Sequence, residues 1–66
     1  MNLAGQLELE LDWVHCEIYR LSEAIEYGMA RRGDDVRLEG LKAYREALKG
    51  LDPRDANIVI PDRPAL

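Results

Sequence analysis

The residues best equipped for chemistry in this chain stand together on one short stretch: His15 and Cys16, with Asp12 three residues earlier and Tyr19 four residues later. An imidazole oriented by a carboxylate is the core of a general base, and Asp12, His15 and Tyr19 share one helical face, so a local hydrogen-bonded cluster is conceivable there. Cys16 does not join it. Adjacent residues on a helix point about 100° apart, so His15 and Cys16 cannot converge on one ion or one substrate atom. A nucleophilic thiol also needs a partner base and an electropositive setting, whereas the neighbours of Cys16 include the acids Asp12 and Glu17. Cys16 therefore reads as a small buried or half-buried apolar residue, and Asp12, His15 and Tyr19 as the wet face of an amphipathic helix.

Carboxylates pair at Glu8/Glu10, Glu23/Glu26 and Asp34/Asp35. A calcium loop needs alternating oxygen ligands, a central glycine and a closing glutamate, and Gly33-Asp34-Asp35 is too short to supply them. The glycines at 5, 28, 33, 40 and 50 are dispersed and form no phosphate-cradling loop. No cofactor, metal or catalytic site is expected, and the reading is a non-enzyme.

The elements that carry these residues follow from length and pattern. Sixty-six residues form one small domain with a marginal core, of the kind that draws extra stability from disulfides, metals or partners. One cysteine excludes an internal disulfide and suits a reducing compartment. Thirteen acidic against nine basic residues give a net charge of -4, which disfavours nucleic acid as a partner. The basic residues are scattered; a regulator's recognition helix would have to be Val36 to Lys49, which is only mildly basic. No stretch approaches the roughly 18 apolar residues of a membrane span. Met1 to Gly5 lacks the charged start and apolar run of a secretory signal, so a complete cytoplasmic chain is expected.

Leu7, Leu11, Val14, Ile18, Leu21, Ile25 and Gly28 recur at alternating spacings of four and three, the seam of a helix lying along another helix. Ala4 extends the seam backwards. With Arg31 and Arg32 at its C-terminal end and Gly33 as a left-handed cap, the spacing predicts a long helix over about 6–32. Leu7, Leu9 and Leu11 also alternate with Glu8, Glu10 and Asp12, which is strand periodicity, so residues 6–12 admit either form. A second helix over about 35–50 has Asp35 as its cap and Leu38, Leu41, Tyr44, Leu48 and Leu51 as its apolar stripe. Gly40, Ala43 and Ala47 would let another helix approach, and Gly50 and Pro53 stop this one. The short connection makes the pair antiparallel. The expected fold is thus an all-α antiparallel helical hairpin over 1–52, with an extended, proline-containing tail over 53–66.

Two surfaces stand out as candidates for protein contact. Leu9, Trp13, Cys16 and Tyr27 point away from the seam, and a single partner helix cannot cover both sides. In the tail, Ile58, Val59 and Ile60 are branched and apolar, and Pro61 and Pro64 hold the backbone extended. The cover for Leu9, Trp13 and Cys16 is the tail itself, a second copy of the chain, or a foreign protein. Together with Tyr44, these eight residues form the expected interface; burial between molecules is favoured over the tail folding back, and a homo-oligomer is expected.

From Leu41 onward the chain resembles a known family. Tyr44, Arg45, Ala47 and Leu48 form a Tyr-Arg-x-Ala-Leu helix, Asp52-Pro53 follows as a turn, and Ile60, Pro61 and Pro64 form a hydrophobic-Pro-x-x-Pro ending. This pattern is similar to the C-terminal segment of small bacteriophage tail-assembly proteins, and Asp12-Trp13 resembles an Asp-Trp pair that the family places upstream, nearer to its Tyr-Arg helix. The family commonly carries Trp where Ile60 stands, and the long first helix lies outside its pattern. The resemblance implies a phage structural or tail-assembly component in the bacterial host cytoplasm or the virion, acting on a protein partner. A small acidic inhibitor or anti-defence protein that binds a host protein fits the composition nearly as well. Salt separates the two, since an acidic mimic loses affinity steeply as ionic strength rises while an apolar interface does not.

Overall fold

A computed structural model describes residues 3–64 as two helices, α1 (Leu3–Glu26) and α2 (Asp34–Lys49), joined by a short connection and followed by an irregular tail. The molecule is an elongated hairpin of 43 × 16 × 15 Å. Residues 6–12 lie within α1, and no strand occurs among the described residues. Leucine and glutamate favour helix, and Leu7 and Leu11 satisfy the helical seam, so the competing alternation carries no weight once α2 covers one face.

The core is built as the spacing predicts. Leu7 and Val14 on α1 meet Leu41, Tyr44 and Leu48 on α2, with Leu11, Ile18, Leu21 and Leu51 packed around them. Val14, Leu41 and Leu48 are wholly out of water. Each such side chain contributes about 1.5–3 kcal/mol of burial, most of which the ordering of the chain offsets.

The seam closes earlier than its periodicity suggests. α1 ends at Glu26, not near 32, because Gly28 adopts φ +69° and turns the chain away. Gly28 N–H bonds to the Ile25 carbonyl at 3.2 Å and Met29 N–H to the Ala24 carbonyl at 2.7 Å, which is a Schellman closure. Gly28 is therefore the C′ residue of α1, not a seam position, and Ile25 is exposed. Arg31 and Arg32 fall in the connection, outside the helix whose end they were expected to complement.

Gly33, at φ +87°, stands at the N-cap of α2 and not at the end of α1. The expected cap, Asp35, is exposed; Asp34 takes the structural part. Its carboxylate accepts the Arg31 N–H at 2.8 Å and Arg37 Nη1 at 2.8 Å, tying the connection to the first turn of α2. The backbone bond from Arg31 is the main reason the Asp34 carboxyl lies below its ordinary pKa, with Arg37 adding to it against the cost of burial.

After Lys49 the chain leaves the helix through two successive side-chain turns. Asp52 Oδ1 accepts the Arg54 N–H at 2.9 Å, and Asp55 Oδ1 accepts the Asn57 N–H at 2.9 Å. These reverse the chain, and the tail then runs back along the hairpin towards the connection. Ile60 packs on the core, and Pro64 lies over Gly40, 3.9 Å from where a Cβ would stand. The small residues of α2 thus receive the tail at Gly40, while Ala43 and Ala47 remain exposed.

Candidate functional site

Where the tail crosses the hairpin, four side chains from three segments meet. Glu10 and Trp13 flank the α1 seam, one helical step from Leu7 and Val14; Tyr44 comes from the α2 stripe; Arg63 comes from the tail. Arg63 grips Glu10 as a fork, Nε to Oε1 at 2.7 Å and Nη2 to Oε2 at 2.7 Å. The Tyr44 hydroxyl donates to the same Oε1 at 2.9 Å. The Arg63 guanidinium also lies 4.2 Å from the centroid of the Trp13 ring, and Trp13 meets Tyr44 edge-on at 6.1 Å and 84°.

The electrostatics follow from these contacts. Hydrogen bonds from Arg63 hold the Glu10 carboxyl below its ordinary pKa, overcoming partial burial, with Tyr44 and the charge of Arg63 adding to the effect. Burial pushes the Tyr44 phenol up to about 12, and its bond to Glu10 pushes in the same direction. Glu10, Tyr44 and Arg63 thus clasp the tail to both helices.

The expected interface residues separate into three groups. Trp13, Tyr44 and Ile60 belong to the intramolecular core or its border. Ile58 is half-buried. Leu9, Cys16, Tyr27 and Val59 are exposed, the last at 81%. For Cys16 this corrects the expectation of a buried or half-buried site: it lies nearly opposite the seam, beyond the reach of both α2 and the tail. The tail covers only the flank of α1 that carries Glu10 and Trp13. Among the described residues no hydrogen bond joins Asp12, His15 and Tyr19, all three exposed. No group of three or more His, Cys, Asp or Glu residues gathers there as a metal site, and no helix is long and apolar enough to cross a membrane.

Sequence reasoning missed Glu10 and Arg63. Glu10 sat within an apparent alternation, and a tail arginine gives no local sign of where it lands; the available signal was the chain's single Trp next to the seam, which calls for a cover.

On the same flank of the hairpin, towards the connection from Pro64, a groove lies open among the described residues. It opens to about 770 Å³, lined by Leu21, Ala24, Tyr27 and Met29 with arginines at 20, 31, 32 and 37 and acids at 17, 23 and 34. Tyr27 and Met29 are 68% and 76% exposed. Arg20 pairs with Glu17 and Arg37 with Asp34, whereas the Arg31 and Arg32 guanidinium groups donate no hydrogen bond among the described residues.

Comparison with protein-family models, with curated proteins and with solved structures finds no match to this chain. What fold and site define is a helical hairpin closed by its own tail, with an open groove at its connection end.

Proposed function

We propose that this chain is a non-catalytic protein-binding protein, and more narrowly a phage structural or tail-assembly component of the kind its C-terminal half resembles. The observation that carries the binding role is a group of exposed apolar side chains at one end: Ile25, Tyr27, Met29 and Val36 lie open around the connection, while Leu9, Tyr19 and Val59 are exposed elsewhere. A small chain with a marginal core keeps such residues in water at a cost to solubility, and covering them on a partner recovers burial. Support for the assembly role is narrower. Of the residues that carry the resemblance, Tyr44, Leu48, Ile60 and Pro64 take part in packing the tail onto the hairpin.

The alternative is a small acidic inhibitor or anti-defence protein that occupies a host protein. In its favour, Ile60 and Arg63 are engaged with the chain's own core, so the tail is not free to tie copies together.

Amine-reactive cross-linking of the tagged chain in infected cells, with mass-spectrometric identification of the adducts, tests the reading alongside sedimentation of the pure chain. Adducts to a virion or assembly protein are expected. Adducts to a host enzyme with a monomeric mass would replace assembly by inhibition, and no adducts above a tag-only control would sink the binding role itself.

A further inference from the structure

The tail and the open groove lie along one flank of the hairpin, whose two halves are differently charged. On α1, Glu10 and Trp13 are followed on the same face by Glu17, Leu21 and Ala24; on α2, Tyr44 and Gly40 are followed by Arg37. The tail fills the first half and reaches Gly40 with Pro64. In that half the wall supplies the carboxylate, Glu10, and the extended segment supplies the cation, Arg63. In the open half the polarity is reversed. Four of the chain's nine cationic residues line it against three acids, a balance of +1 in a chain of -4, which leaves -5 to the rest. Among the described residues the Arg31 and Arg32 guanidinium groups donate no hydrogen bond, and the groove sets them with the exposed Tyr27 and Met29.

We propose that this open half docks an extended acidic segment of a partner protein, with carboxylates spaced by apolar side chains. The assignment rests on the protein-binding reading above and names the partner's chemistry. A segment lying along this half would place its carboxylates on Arg31 and Arg32 and its apolar side chains on Leu21, Ala24 and Tyr27. A phosphate backbone fits less well. Glu17, Glu23 and Asp34 interrupt the arginines, and the chain's net charge repels a continuous polyanion. Spaced carboxylates suit that interruption.

The test is a titration of the isotope-labelled full chain, followed by amide shifts, with three fluorescent probes of equal charge. These are a peptide of Glu and Asp interleaved with Leu and Tyr, a polyglutamate, and a single-stranded oligothymidylate. The interleaved peptide should bind tightest and move the amides of Ala24, Tyr27, Met29 and Arg37. R31E/R32E, two exposed changes whose folding circular dichroism verifies, should weaken it by roughly tenfold or more, the effect of losing two charge contacts and adding repulsion. Arg54→Glu, at the opposite turn, should not. No binding, binding indifferent to R31E/R32E, or equal binding of polyglutamate overturns the proposal; tighter binding of the oligothymidylate overturns it in favour of nucleic acid. Cross-linking with R31E/R32E separates it from the broader reading. A partner still captured by that variant removes the groove assignment and leaves the binding role intact. A groove that binds the peptide in a chain that cross-links to nothing leaves the groove's chemistry and removes the binding role in the cell.

Discussion

Arg63 lies 4.2 Å from the centroid of the Trp13 ring, so the far end of the chain closes over its beginning. The same guanidinium holds Glu10 at both carboxylate oxygens. Trp13 is the chain's single tryptophan and reports on this lid. Arg63→Ala should red-shift its emission and raise its quenching by acrylamide. Glu10→Gln should produce much of the same change, and the double variant should add little to either, because one clasp has been opened in each case. Additive effects on emission and urea midpoint would mean that the tail is held elsewhere.

The clasp carries a pH signature with two limbs. The Glu10 carboxyl is depressed from its ordinary 4.5 by Arg63, so the unfolded chain takes up the proton first as pH falls. Its contribution to stability is complete above about pH 4.5 and is lost as pH drops through the lower folded value. Asp34 and Asp52 act in the same sense from 3.8, each held down chiefly by a backbone N–H. Glu10→Gln should therefore flatten the upper part of the acid limb and leave the lower part. Tyr44 is raised from 10.0 to about 12, so on the alkaline side the unfolded chain releases its proton first. Stability that is full below pH 10 should fall as pH rises towards 12, and Tyr44→Phe should remove that loss. Urea midpoints across pH read both limbs.

How much of this could be read in the sequence divides by range. The α2 stripe and the inner α1 seam were legible because period and propensity agree there. The end of α1 was not. Arg31 and Arg32 extend a helical composition past Gly28, and only the left-handed turn at Gly28 shows that the helix has already stopped. Trp13 was legible as a residue needing cover, but its cover lies 50 residues away at Arg63, and no local pattern encodes that pairing. The open groove is a product of the same early stop, since it sets Tyr27, Met29, Arg31 and Arg32 in the connection instead of on a helical face.

Leu41 is the strongest single test of the core. It is wholly buried among Leu7, Val14, Tyr44 and Leu48. Truncating such a leucine to alanine costs about 2–5 kcal/mol. A chain of this length holds only about 3–10 kcal/mol in total. Leu41→Ala should lower the urea midpoint by a third or more, while the exposed Val36→Ala should leave it almost unmoved.

Cys16 points to water on the side of α1 that neither α2 nor the tail reaches. It should react with a disulfide reagent in the native chain at the rate seen in urea. Cys16→Ser should change stability by less than about 0.5 kcal/mol. Strong protection of the thiol in the native chain would show that this face is covered, and a concentration-dependent protection would identify the cover as a second copy.

Two glycines should answer the same substitution with opposite signs. Gly28 has φ +69° and open space where a Cβ would stand, so Gly28→Ala meets no atom and suffers only from the left-handed backbone, at a cost of about 1 kcal/mol. Gly40 sits inside α2, where glycine is about 0.5–1 kcal/mol worse than alanine. Its new methyl would meet Pro64 at 3.9 Å, an ordinary contact. Gly40→Ala should therefore stabilise, raising the melting temperature by a few degrees in a chain this small, while Gly28→Ala lowers it by a similar amount. A loss at Gly40 would mean that Pro64 rides closer to α2 than ordinary contact, and that the tail's seat in the groove has no room for a methyl group.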